Sequence, residues 1–434
     1  MSDAASLPVV IVGGGFSGAM LAARLAEQGQ ASILIERSDA PGAGVAYSTL
    51  DDAHRLNVRA NRMGAVADHP DDFVDWLVEH ALEQADPHGF APRSLYGRYV
   101  RDRLAAGERT GLIRVVRGEA TRVDGTAVVL DDASRIGGRS VVLATGNPAP
   151  RAAGRAPRLV SDPWAPAALD RVGAFDSIVV LGAGLTMVDV LLGLQGRGWR
   201  GAALAVSRRG LLPRAHADRH DAPVELSSAE ASGPLSRRLH AARRLARTHG
   251  WRRVMEGYRP ITAALWRSAT AAERRRFLRH LRPWWDVHRH RLAPEIAGVL
   301  DRLLEEGRLT VRAARVRRIE ATEADVMLEI APRGGGRTEI LSAHWLIDCT
   351  GPGHDPARAP LTAGLIASGR ARIDPAGLGL DLDAEGRVLH ADGRADPALF
   401  VLGPPARAAF WETVAVPDIR QRIEALAAIL RRPG

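Results

Sequence analysis

The chain has 434 residues, and its 59 basic residues against 50 acidic ones give a formal net charge of +9 and an isoelectric point near 10.8. Every basic residue is arginine; without lysine there can be no lysine Schiff base, no Walker-type phosphate lysine and no kinase strand lysine. One cysteine, Cys349, excludes disulfide frameworks, cysteine-based zinc sites, cysteinyl iron–sulfur clusters and the paired cysteines of disulfide reductases.

In chain order, residues 1–6 (MSDAAS) carry an acid and no base, unlike a secretory leader, and no apolar run reaches the roughly 18 residues of a membrane span. The cytosol is the expected compartment, with no membrane partner. Val9–Val12 reads as a strand running into the glycine turn Gly13, Gly15, Gly18. A helix to about Gln28 and a strand over Ala31–Ile35 follow, closed by Glu36. This is a dinucleotide-binding βαβ unit. Gly13 serves the tight turn, Gly15 the approach of a pyrophosphate and Gly18 helix–strand packing, and Glu36 suits ribose hydroxyls.

A second unit repeats the plan: a strand over Ser177–Leu181, a turn with Gly182 and Gly184, a helix to about Gln195, and a strand over Ala203–Val206. Met187 replaces the third glycine. Arg208 and Arg209 stand where the acid would be, a position where arginine suits a coenzyme 2′-phosphate. The repeat extends further. Residues 111–123 resemble 307–316, and each stretch leads through an alternating strand to an apolar strand ending in Thr-Gly, at Thr145-Gly146 and Thr350-Gly351.

Between Leu211 and Leu300 the sequence reads as helical and holds 18 arginines against 8 acids, a net of +10, so the rest of the chain is near neutral at −1. Its densest polar stretch gives a helix opened by Pro283, on which Trp285, His288 and Arg289 share a face beside Arg282. An aromatic floor, an imidazole and guanidinium groups suit a flat anion. His216 and His220 read as structural or surface groups, and Cys349 as packing. Leu399–Gly403 reads as a strand stopping at glycine, and Pro417 opens a last helix to about Leu430.

The fold class is therefore α/β: two Rossmann-like dinucleotide-binding domains with parallel sheets and an inserted arginine-rich helical segment. The expected domains are 1–165 (first part of an FAD domain), 166–345 (an NAD(P)H domain with the insertion 211–300) and 346–434 (return to the FAD domain with the C-terminal helix). FAD at the first unit and NADH or NADPH at the second is the economical pair. The strand into Gly403 adds a backbone contact on the flavin side, although Pro404 stands where an acid often follows. Two intact nucleotide units, with no interleaved aromatic platform, argue against a nucleic-acid partner.

Val10–Gly18 (VIVGGGFSG), Gly44–Ser48 (GVAYS), Leu56–Val58 (LNV), Pro92–Gly97 (PRSLYG), Gly184–Asp189 (GLTMVD) and Ser207–His216 (SRRGLLPRAH) together resemble a family of bacterial FAD/NAD(P)-binding flavoprotein monooxygenases. That family includes FAD-dependent urate hydroxylases and aspartate N-monooxygenases. The resemblance implies that NAD(P)H reduces FAD and that a C4a-hydroperoxyflavin formed with O2 transfers oxygen to a small anionic substrate. On chain length the favoured reaction is hydroxylation of urate to 5-hydroxyisourate, in purine degradation. The alternatives are N-hydroxylation of a small amino acid such as aspartate, or a flavin reductase without oxygen insertion. Asn57 and Asn61 become candidates near the flavin. Arg282, Trp285, His288 and Arg289 become candidates for the substrate.

Overall fold

The computed structural model describes residues 7–148, 156–218, 222–353 and 355–431. Residues 1–6 and His220, both read above, lie outside them.

Val9–Val12 is buried at every position, which fits a strand covered on both faces. It is central in a six-stranded sheet with the order Arg387–Leu389, Ala395–Val401, Ser140–Leu143, Val9–Val12, Ser32–Glu36, Ile113–Arg117. All neighbours are parallel except the first pair. The helix Phe16–Glu27 packs on this sheet between Arg93–Glu108 and the C-terminal helix Val416–Leu430, which has proline in its first turn. A separate antiparallel meander holds Ala120–Asp124, Ala127–Leu130 and Arg135–Gly137.

The second sheet has seven strands in the order Glu339–Ala343, Val326–Pro332, Leu309–Ala321, Ala203–Ser207, Ile178–Leu181, Trp345–Asp348, Leu159–Val160. Its four inner pairings from Leu309–Ala321 to Leu159–Val160 are parallel, and the other two are antiparallel. The sequence repeat is thus a structural one. In both sheets the Thr-Gly strand, the strand entering the glycine turn and the strand leaving the first helix lie side by side in the same order.

The expected boundaries move. Leu159–Val160 pairs with Trp345–Asp348, so the second unit reaches back before residue 166 and forward past 345. A two-residue strand has no periodicity to find. The insertion is helical as expected, with helices such as Leu235–His249, Trp251–Tyr258, Ala271–His280 and Arg282–Arg289. It forms the crossover between Ala203–Ser207 and Leu309–Ala321. The equivalent crossover of the first unit, residues 37–112, is also long, and the two face each other. No helix among the described residues is long and apolar enough to cross a membrane.

Candidate active site

The two glycine turns have the same construction. Gly13 has φ +103° and Gly182 φ +102°, in the left-handed half of the map that favours glycine. A Cβ at Gly13 would lie 2.4 Å from the carbonyl oxygen of Ala144, and one at Gly182 would lie 2.4 Å from that of Cys349. In each unit the turn therefore presses against the residue just before Thr-Gly. Gly18 is bound as tightly, because a Cβ there would stand 1.9 Å from Gly13 O.

Gly15 and Gly184 differ from these. The nearest atom to a Cβ at Gly15 would be Gly44 Cα at 3.5 Å, and nothing would lie within 4 Å of a Cβ at Gly184. Protein packing does not demand glycine at these two positions. Each is the N-cap of a helix, Phe16–Glu27 or Leu185–Gly196, and neither makes a side-chain cap. Open space beside uncapped N–H groups fits a pyrophosphate. Glu36 bends back over the first turn: Oε2 accepts from Gly14 N–H (2.6 Å) and Oε1 from Ser38 N–H (2.8 Å). Thr145 and Gly146 leave the neighbouring strand beside Gly13. Gly403, at the next strand end, lies so close to Ser17 that a Cβ would meet its Oγ at 2.3 Å, and its carbonyl accepts from Thr413 Oγ1 at 3.0 Å. These residues converge on the carboxyl ends of the first sheet and fit FAD. Arg208 is exposed at the end of Ala203–Ser207 on the second sheet, a place that fits the phosphate of a second nucleotide. Arg209 instead turns to the insertion, donating to Arg279 O at 3.2 Å.

Several of the conspicuous sequence motifs meet where the two units touch. Arg93 donates twice to the Asp189 carboxylate, at 2.9 and 3.1 Å. His54 Nε2 donates to Asp189 O at 2.9 Å. His216 Nε2 donates to Asn57 O at 3.0 Å.

Next to this contact the two crossovers enclose a narrow cleft, partly open to solvent. Asn57, Val58, Arg59 and Arg62 line it from the first unit. The insertion adds His216, Ala217, Arg252, Arg253, Glu256, Arg259, Arg289 and Arg291. That makes seven arginines against one carboxylate. Glu256 pairs with Arg62 at 3.0 Å, with Arg259 at 3.8 Å and with Arg291. Burial pushes its carboxyl up, but Arg62, Arg291 and Arg259 outweigh that and hold it at about 2. Arg259 is pushed down by burial and by the neighbouring guanidinium groups of Arg289 and Arg62. Arg59 donates to Ala217 O at 2.6 Å and lies 5.1 Å over the Phe90 ring. His216 is pushed down to about 3 by burial and by Arg291 and Arg59.

The sequence-predicted quartet is not gathered into one face. Only Arg289 reaches the cleft, where it is buried between Glu412 (3.2 Å) and Asp418 (3.3 Å). Trp285 points to the C-terminal loop and donates to Glu412 Oε1 at 2.6 Å. His288 hydrogen-bonds Trp284 O at 2.7 Å and stands edge-on to Trp251. Arg282 lies near Asp286 (3.4 Å) and over Trp411. Trp285 and Arg289 thus join the insertion to the loop after Gly403, and no flat-anion platform forms. Sequence reasoning missed Arg59, Arg62, Arg252 and Glu256. The Leu56–Val58 motif beside them was the available signal. Asn61 has a buried side-chain oxygen without a hydrogen-bond partner among the described residues, whereas Asn57 lines the cleft.

A family model described as FAD-NAD(P)-binding matches residues 10–148, which is the first unit. No curated protein matches the chain by sequence. Among solved structures the chain is similar to L-lysine 6-monooxygenase from Pseudomonas syringae (18% identity, TM-score 0.70). It is also similar to the ornithine N-hydroxylase of Kutzneria sp. 744 in a complex with reduced FAD, NADP+ and L-ornithine (17%, 0.67). A third likeness is to the reduced form of ornithine hydroxylase from Pseudomonas aeruginosa (16%, 0.64). Each comparison covers 98% of this chain and 99% of the other. These likenesses establish the fold, a pair of Rossmann-type units. FAD and NADP(H) are the cofactors that the family match and the cradle geometry support.

Proposed function

We propose that the protein is an NAD(P)H-dependent FAD monooxygenase that N-hydroxylates a small acidic amino acid, with aspartate as the candidate. The observation that carries this reading is the cleft, in which seven arginines face one carboxylate between the two nucleotide units. Planar guanidinium groups bind carboxylates bidentately. Two carboxylates placed among them would fix the intervening amine. Bound FAD, reduced by NAD(P)H and oxidised by O2, would supply the electrophilic oxygen. The protein's own residues would hold the substrate anion, keep its nitrogen near the flavin and limit water.

Proteins of the same fold are named for hydroxylation of amino nitrogens, in ornithine and lysine. That likeness supports N-hydroxylation over the urate reaction favoured by the sequence resemblance. The arginine cleft distinguishes the substrate from those two, whose side chains are cationic. Fold likeness does not by itself carry function, so the cleft's charge bears the argument for an acidic substrate.

The test is NAD(P)H oxidation and O2 uptake by the FAD-loaded protein with aspartate, urate, ornithine and lysine, combined with detection of the hydroxylated amine. Aspartate should stimulate both rates without stoichiometric peroxide release. Stimulation by urate alone would restore the purine reading. Protein that takes up no FAD would refute both.

A further inference from the structure

Three side chains lining the cleft carry hydrogen-bond acceptors: Asn57, His216 and Glu256. Glu256 is committed to arginines on both oxygens, Arg291 on Oε1 and Arg62 and Arg259 on Oε2. Asn57 can present either end of its amide. His216 has no such choice. Its Nε2 lies 3.0 Å from the carbonyl oxygen of Asn57, which only accepts, so Nε2 carries the hydrogen. A second proton would create an imidazolium among Arg59, Arg252 and Arg291, with Glu256 already taken, and burial beside these groups holds the ring neutral. Nδ1 is left with a lone pair and no partner among the described residues. Phe90 packs against the ring at 4.9 Å, and the His216 backbone N–H donates to Leu292 O at 2.9 Å, so the acceptor is fixed in place.

We propose that His216 is a specificity-determining residue whose Nδ1 accepts a hydrogen bond from an N–H of the substrate amine. The proposal rests on the reading of the cleft as a site for an acidic amino acid. N-hydroxylation needs the nitrogen lone pair, and an ammonium has none. The surrounding arginines disfavour the ammonium, and an acceptor that takes one N–H leaves the lone pair free to turn elsewhere. The cleft thereby distinguishes an amino dicarboxylate from a plain dicarboxylate, which the arginines alone cannot do.

The experiment measures binding of malate and succinate to the FAD-loaded full-length protein by calorimetry. Malate carries a hydroxyl where aspartate carries its amine, and it brings no ammonium. Wild-type protein should bind malate roughly 5-fold more tightly than succinate, the worth of one net hydrogen bond. His216→Phe should weaken malate to the succinate level and leave succinate unchanged. His216→Asn, with an amide oxygen near the place of Nδ1, should restore part of the preference. With aspartate as substrate, His216→Phe should also release more peroxide per NAD(P)H oxidised. Equal loss of malate and succinate binding in His216→Phe indicates a structural role and overturns this proposal alone. If His216→Phe does not fold, the wild-type comparison still decides, because succinate bound as tightly as malate refutes the acceptor. Wild-type protein that binds neither ligand overturns the acidic-amino-acid reading together with this proposal.

Discussion

Glu256→Gln is the most direct perturbation of the cleft. The side chain is 10% exposed and faces three arginines, and its carboxyl falls from the ordinary 4.5 to about 2. At about 1.4 kcal/mol per pH unit, that depression corresponds to about 3 kcal/mol of stability. The sign follows from the direction of the shift. A depressed folded-state value gives stability that is full above the unfolded value near 4.5 and is lost as pH falls towards 2. At pH 7 the variant should therefore be less stable by about 3 kcal/mol. Given the unfolding entropy of about 2 cal/mol/K per residue, a chain of this length should melt about 3 °C lower. The difference should shrink as the pH is lowered below 4.5. Added malonate should raise the melting temperature of Glu256→Gln more than that of wild type, because the vacated arginines can take the anion. The assay is thermal unfolding followed by tryptophan fluorescence across pH, with and without malonate. A variant within 1 °C of wild type at pH 7, with no added response to malonate, would refute the reading that the charge of Glu256 is held by its pairs with Arg62, Arg259 and Arg291.

Five further outcomes are expected. Gly182→Ala should destabilise the fold by more than about 2 kcal/mol, because the alanine would need φ +102° and would meet Cys349 O. Gly184→Ala should melt at or slightly above wild type while its NADPH affinity falls, a pair separable by thermal unfolding and coenzyme titration. Arg208→Ala should raise KM for NADPH about tenfold and leave NADH nearly unchanged; equal loss with both coenzymes would rule out a 2′-phosphate contact. Since His216 titrates near 3 when folded and near 6.5 when unfolded, it should make stability rise with pH between those values, and His216→Phe should flatten that part of the profile. Ornithine and lysine should stimulate NAD(P)H oxidation far less than aspartate does.

The dinucleotide units were legible in the sequence because each glycine turn has a local cause. Gly13 and Gly182 need left-handed backbone, and the Thr-Gly strands supply the carbonyls they press against. The helical insertion was legible from its composition. The cleft was not. Asn57–Arg62 and His216–Arg291 meet across at least 154 positions of chain, a juxtaposition set by the docking of two crossovers and marked by no spacing rule. Helical spacing placed Trp285, His288 and Arg289 together on Arg282–Arg289 without showing what each would meet. Trp285 and Arg289 converge on Glu412, His288 turns to Trp251, and these neighbours belong to other segments. His216 read as structural because a lone histidine in a loop carries no pattern. Only its bond to Asn57 O and its arginine neighbours give it a tautomer and a role.

The charge of the chain acquires a direction in the fold. Five of the insertion's 18 arginines (Arg252, Arg253, Arg259, Arg289 and Arg291) line the cleft, where Arg59 and Arg62 join them from the first unit. Glu256 lies within the cleft, and Glu412 and Asp418 reach Arg289 and Arg259 from the C-terminal segment. Seven positive charges less these three negative ones leave about four for a ligand. A dianion can therefore enter without exceeding the charge that awaits it. A side-chain ammonium placed 6 Å from even one uncompensated guanidinium meets about 3 kcal/mol of repulsion at an effective dielectric of 20, roughly a hundredfold in affinity. The same repulsion favours the neutral form of an amine already anchored by its carboxylates, so one set of arginines would both select the acid and help to expose the nitrogen lone pair.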